Sequence, residues 1–183
     1  MGEEGEENMI HRRNDVAGID DFIAELHSPR RAFDKPGAPC RVRWVLTHLI
    51  GDIHQPHHAA DHNDRGGNMI QVRLPWGRKA NLHGAWDNDF VEHALGGKNE
   101  KRVAHELLLK FDSRKADWQT GTIQAWMDES NQLAKTVAYG KIAGFTCDAD
   151  LKRKRIFLDQ NYADEATTIV EEQLAKASPR SQS

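Results

Sequence analysis

Cysteine is scarce in this 183-residue chain: only Cys40 and Cys147 occur. Two are too few for a disulfide framework, and both lie too far from the histidines to read as a Cys/His zinc knuckle, which leaves one bridge or two buried thiols. An excess of basic charge is also missing. Lys and Arg total 25 against 28 acidic residues, for a formal net charge of −3. The broad cationic footprint of a protein that tracks along a phosphate backbone is therefore absent, and any grip on nucleic acid has to be local. No run approaches the roughly 18 apolar residues of a membrane span. The opening "MGEEGEENMIHRR" has no apolar stretch of the signal-peptide kind, so the chain as written does not announce export. No internal repeat or linker stands out. The expectation is one domain, followed by a frayed tail, "SPRSQS", at 178–183.

The dominant pattern is helical. Val16, Ile19, Phe22, Ile23 and Leu26 recur at helical spacing until the prolines of "SPRRAFDKPGAP" end the run. A second helix is expected from near Arg41 through "RVRWVLTHLIGD", limited by Pro56. Ile70, Val72 and Leu74 alternate as in a short strand closed by Pro75–Gly77. Asn81 is a candidate N-cap for "LHGAWDNDFVEHAL", and Gly96–Gly97 a stop. Val103, Leu107 and Leu108, then Ile123, Trp126, Ser130, Leu133 and Val137, indicate two further helices, and "NYADEATTIVEEQLAKA" a last amphipathic one. The expected class is mainly α, multihelical, with at most one small β-hairpin.

What is abundant is histidine in one place. Of the ten histidines, seven (48, 54, 57, 58, 62, 83 and 93) fall between residues 48 and 93, interleaved with Asp52, Asp61, Asp64 and Asp87. His48 and Asp52 are four apart on an expected helix, so their side chains leave the same face one turn apart; His83 and Asp87 repeat the spacing. His58 follows Pro56, where an irregular turn can aim an imidazole inward. One such His/Asp pair is as well explained by an ordinary hydrogen-bonded helix contact. Two pairs beside a loop histidine supply the nitrogen and carboxylate donors that zinc accepts, and point to a zinc site with hydrolytic chemistry.

Three segments, "HLIGDIHQPHH", "DRGGN" and "NLHGAWD", in that order and spacing, resemble the signature segments of the trinuclear-zinc, single-strand-specific nucleases of fungi, plants and bacteria. That family shares a superfamily with zinc-dependent phospholipase C. The resemblance covers residues 8–177 as a single domain and implies the multihelical phospholipase C/nuclease-like fold and up to three zinc ions. It also implies a phosphodiesterase that cuts single-stranded DNA and RNA to 5′-phosphorylated products, with 3′-nucleotidase activity besides. It makes His58, His83 and Asp87 the complete ligand set of one zinc. His48 and Asp52 become ligands of a closely spaced zinc pair, with Asp52 bridging the ions that carry the attacking hydroxide. Metal charge rather than Lys/Arg would then hold the scissile phosphate, which reconciles such an enzyme with a net charge of −3. Family members are secreted or periplasmic. The stretch before His48 is shorter than the family's ligand-bearing upstream region, so the resemblance also suggests a member shortened at its N-terminus. The alternatives are a zinc-binding fragment that hydrolyses nothing and, less supported by these motifs, a phospholipase C.

The remaining residues carry plainer expectations. Asp64 and Asn68 either orient ligands and touch substrate or close a turn through their own backbone, with the neighbouring glycines at positive φ. His54 and His57 read as supporting or surface groups, since His58 fills the motif position; the family usually carries leucine at the place of His57. His62, His93 and His105 read as solvated. Trp44, Trp86 and Trp126 belong to the core, Trp76 to an exposed turn, and "LKRKR" at 151–155 to solvated surface.

Overall fold

The computed structural model describes residues 38–181 except 147 and 153, with side chains from residue 45 onward. The expected helix at 16–26, the side chain of Trp44 and both cysteine side chains lie outside this range. Helix α1 spans Ala38–Ile53, starting three residues before Arg41, and gives way to a single 3-10 turn at Pro56–His58. Pro56 occupies the first position of that turn, where its missing N–H breaks no bond. Strands β1 (Gln71–Arg73) and β2 (Lys79–Asn81) form the expected hairpin. Helix α2 (82–95) follows at once, its first turn capped by the Asn81 side chain, which accepts from Gly84 N at 2.6 Å. At its far end the Gly96 N–H bonds back to the Glu92 and His93 carbonyls. Helices α3 (Glu100–Lys110), α4 (Lys115–Trp118) and α5 (Ile123–Leu133) come next. Strand β3 (Arg155–Phe157) and the long α6 (Gln160–Arg180) close the chain.

The class is mainly α, as the periodicity predicts. The hairpin gains a partner: β3 lies parallel to β1, giving the order β2-β1-β3 with Val72 opposite both Ala80 and Ile156. A three-residue strand embedded in "LKRKRIF" has too few alternating apolar positions to show itself. Its only buried side chain is Ile156.

The main core lies between the inner sheet face, α2, the π-helical stretch Ala134–Tyr139 that continues α5, and α6. Ile70, Val72 and Leu74 meet Trp86, Phe90, Tyr139 and Tyr162 there, all at least nine-tenths buried. Two polar aromatic atoms are satisfied inside it: Trp86 Nε1 donates to Tyr162 Oη at 3.0 Å, and Tyr162 donates onward to the Ala138 carbonyl at 2.7 Å. Trp126 sits in a second cluster with Ile50, Ile53 and Met127. Trp76 is 42% exposed, as its turn suggests.

Residues 178–180 do not fray. Helix α6 runs to Arg180 because that side chain is buried among partners: it donates to the Trp118 carbonyl (3.1 Å), to His54 Nε2 (2.8 Å) and to Glu129 (2.8 Å). Short polar residues around a proline conceal such an anchor, since its partners lie 51 to 126 positions away. Of the histidines expected to be solvated, His93 is exposed while stacking on a surface tryptophan, and His62 is half-buried. His93 stacks flat on Trp76 (ring centroids 4.8 Å, 9° between planes), and His62 lies edge-on to Phe145 at 5.4 Å. His105 is exposed.

Candidate metal centre

The 3-10 turn aims His58 at the start of α2. Proline at the first turn position and Gln55 before it, whose side chain accepts from His57 N, fix the backbone so that His57 turns into the core and His58 out of it. On α2, His83 and Asp87 flank the transition from α-helical Leu82–Gly84 to a π-helical turn at Ala85–Asp89. Such widened turns are uncommon and concentrate at functional sites, because they re-aim side chains that a regular helix would hold one turn apart. Here the turn brings His83 Nε2 within 3.2 Å of Asp87 Oδ2.

Three donors meet in this way. His58 Nε2 lies 3.2 Å from His83 Nε2 and 3.4 Å from Asp87 Oδ1. One ligand atom from each residue fits within 4.8 Å of the others. Two atoms each about 2.0–2.2 Å from one zinc, at tetrahedral angles, lie roughly 3.3–3.5 Å apart. The imidazole–imidazole separation, and that of each imidazole from its nearer Asp87 oxygen, are of the size a four-coordinate ion requires.

The protons on the imidazoles point to the same conclusion. His58 Nδ1 faces two acceptors, the Asp52 carbonyl at 3.0 Å and Asp52 Oδ1 at 2.9 Å, and His83 Nδ1 faces the Gly66 carbonyl at 2.7 Å. Oxygen of these kinds only accepts, so both Nδ1 atoms carry hydrogen and both Nε2 atoms present lone pairs. Two lone pairs and a carboxylate at such distances repel unless a cation lies among them. In the metal-free chain that cation is a proton. Burial pushes the His58 imidazole down, but the carboxylates of Asp52 and Asp87 outweigh it and lift its pKa to about 9. Burial raises Asp87, while its close contacts with His58, His83 and Gln55 overcome this and hold it far below the usual carboxylate range.

Asp52 thus contacts His58, whose hydrogen bond keeps its carboxyl below the ordinary value; the charge of His48, one turn away on α1, adds to this. His48 is exposed and does not join the three-donor group found among the described residues. Asp64 is buried within the turn. Its Oδ1 accepts from Gly67 N (2.8 Å) and from Tyr139 Oη (2.9 Å), and it contacts none of the three donors, while Oδ2 has no partner. Exposed Asn68 donates to the Arg65 carbonyl at 2.9 Å, a turn contact.

His54 and His57 are not surface groups. His54 Nδ1 donates to the Ile50 carbonyl at 2.6 Å and its Nε2 accepts from Arg180. His57 is wholly buried between Tyr139 and Trp86, and neither ring nitrogen has a partner.

Two contributors escape the sequence reading. Gln55 Nε2 donates to Asp87 Oδ1 at 2.7 Å, tying the turn to the α2 ligand. The Gly66 carbonyl holds His83, which gives "DRGGN" its role at the site. Gly66 (φ +60°) and Gly67 (φ +83°) take the positive φ the motif suggests. A Cβ on Gly66 would stand 2.8 Å from the His57 carbonyl, and one on Gly67 3.1 Å from the His57 ring and 3.2 Å from His83 N. Gly66→Ala is expected to lower stability by about 2–3 kcal/mol and to weaken divalent-metal binding about 10- to 100-fold through His83. Urea unfolding and metal titration of the variant measure both.

Within this helical fold two imidazoles and a carboxylate converge on one point, each held by a further hydrogen bond, a donor set that could hold a metal ion. A family model described as S1/P1 Nuclease matches residues 4–181, and the chain belongs to that family. It is 41% identical over 91 residues to Endonuclease 4 of Arabidopsis thaliana, covering 50% of this chain and 29% of that protein. It is 36% identical over 110 residues to Endonuclease 3 of the same plant, covering 58% and 35%. With Nuclease S1 of Aspergillus oryzae it shares 30% identity over 152 residues, 74% of this chain and 50% of the relative. The chain spans half or less of the length of these relatives.

Proposed function

We propose that the chain is a zinc-dependent phosphodiesterase acting on single-stranded DNA and RNA, yielding 5′-phosphorylated products and also removing 3′-phosphates from nucleotides. The observation that carries this reading is the triangle of His58 Nε2, His83 Nε2 and the Asp87 carboxylate, with both imidazoles already protonated on the far nitrogen. Bound there, zinc supplies Lewis acidity toward a phosphate oxygen and a nucleophile at neutral pH. The chain's own residues do the positioning. Asp52 fixes the His58 ring, the Gly66 carbonyl fixes His83, and Gln55 fixes Asp87. His48 and Asp52, one turn apart on α1, would help to hold further zinc. The family membership also supports a secreted or periplasmic setting.

Digestion of a circular single-stranded DNA, beside its duplex form and phosphatidylcholine, tests the activity. Zinc-dependent loss of the single strand alone is expected; turnover of the lipid alone would overturn the nuclease reading. One bound zinc with no turnover would leave the non-catalytic fragment as the better account.

Proton release gives a separate check. Zinc needs His58 neutral, whereas the metal-free chain holds it protonated up to about pH 9. Calorimetry at pH 7 in buffers of different ionisation enthalpy should show about one proton released from this site per zinc. Apparent affinity should climb about tenfold per pH unit and level off near pH 9. The sign is reversed for the metal-free fold: the raised His58 pKa stabilises it below about 6.5, and that contribution disappears as pH rises through about 9.

A further inference from the structure

The outer face of the small sheet differs from the rest of the surface. Side chains directly opposite in register share a face, so Gln71, Arg73, Lys79, Arg155 and Phe157 all point away from the core. Arg73 sits between Lys79 on one neighbouring strand and Phe157 on the other; Gln71 sits between Asn81 and Arg155. Several other exposed cations are paired: Arg78 with Asp89, Lys110 with Glu171 and Arg114 with Glu172. Arg73, Lys79 and Arg155 make no ion pair among the described residues, and no carboxylate occupies their face. In a chain of net charge −3 this is a local concentration of uncompensated positive charge. Phe157, 59% exposed, lies flush within it.

The face is also connected to the metal centre. Its Gln71/Asn81 row adjoins the start of α2, where Leu82 N donates to the Ile70 carbonyl and His83 N to the Gly67 carbonyl. From that row, two residues along β1, about 6.6 Å, lead to the Arg73/Lys79/Phe157 row. Cations beside an exposed aromatic ring, on a sheet, are what an unpaired strand requires: phosphates take the charges, and a splayed base stacks on the ring. An acidic peptide would use the charges and leave the ring idle.

We propose that this face is a second contact surface for single-stranded nucleic acid, with phosphates on Arg73, Lys79 and Arg155 and a base on Phe157, extending the strand beyond the metal centre. The proposal rests on the nuclease reading above for its direction toward His83. It is tested with zinc-loaded protein and a fluorescein-labelled, phosphorothioate-linked dodecathymidylate, read by anisotropy over a range of NaCl concentrations. Arg73→Gln/Lys79→Gln/Arg155→Gln should make the slope of log affinity against log salt shallower by about 2, three contacts at roughly 0.7 each. Phe157→Ala should weaken binding about fivefold to a hundredfold with the slope unchanged. Both variants should keep the wild-type melting temperature and the wild-type hydrolysis of bis(p-nitrophenyl) phosphate, a substrate too small to reach the sheet. Wild-type affinity and slope in both variants would overturn the proposal, as would polyglutamate competing equally well against wild type and Phe157→Ala. Failure of the nuclease reading looks different: no zinc-dependent cleavage of the ordinary phosphodiester oligomer by wild type, while the anisotropy losses remain.

Discussion

On the proposed reading, Asp87→Asn is expected to lower kcat/KM for single-stranded DNA by roughly a thousandfold, about 4 kcal/mol at 1.36 kcal/mol per factor of ten. The size of the expected loss follows from what the carboxylate does. It faces both imidazoles and accepts from Gln55, so an amide there removes the negative charge that offsets a divalent ion and turns an NH2 toward one of the Nε2 lone pairs. Asn is close in volume to Asp, so packing is retained and the melting temperature of the metal-free chain becomes the control. Retention of full activity with unchanged zinc content would contradict the assignment of this residue.

Acid unfolding is the second large effect. Burial drives the His54 pKa down to about 4, with the charge of Arg180 adding to it against the Ile50 carbonyl; burial drives that of His57 down to about 3. Both therefore fold neutral, and the unfolded chain binds protons that the native one refuses. The stability they carry is present above the unfolded value of 6.5 and is lost as pH falls toward the folded values. Between pH 6.5 and 4 the loss approaches on the order of 3 kcal/mol per histidine, from 1.36 kcal/mol per pH unit. His57→Leu separates the two. It replaces a ring whose nitrogens are both orphaned in the core by an apolar group, and should stabilise the chain at pH 7 by about 1–2 kcal/mol while roughly halving the acid slope. Urea midpoints of wild type and variant at pH 7, 6, 5 and 4 measure both numbers. Parallel pH curves would show that His57 is not a source of the acid sensitivity.

The candidate metal centre is legible in the sequence because its donor residues obey local rules. Helical spacing places His83 and Asp87 on one face, a proline after a helix frees the chain to aim His58, and the three motif segments mark what belongs together. What stayed hidden depends on contacts distant in sequence. Gln55 reaches Asp87 across 32 positions, and Arg180 reaches His54 across 126; no window of the sequence brings those residues together. The widened turn at Ala85–Asp89 was invisible for another reason: the apolar pattern of "LHGAWDNDFVEHAL" tolerates an extra residue in one turn, and only the geometry of the ligands shows it. His57 illustrates the limit of residue chemistry. A histidine between other histidines reads as polar, yet this one lies wholly within the core. β3 was missed because three residues with one inward side chain leave no period to detect.

Anomalous diffraction at the zinc absorption edge, from crystals of the chain loaded with one equivalent of zinc, tests the central claim most directly. The account predicts a peak about 2.0–2.2 Å from His58 Nε2, His83 Nε2 and an Asp87 oxygen together. A peak bonded elsewhere, with those three side chains apart and in solvent, would contradict it.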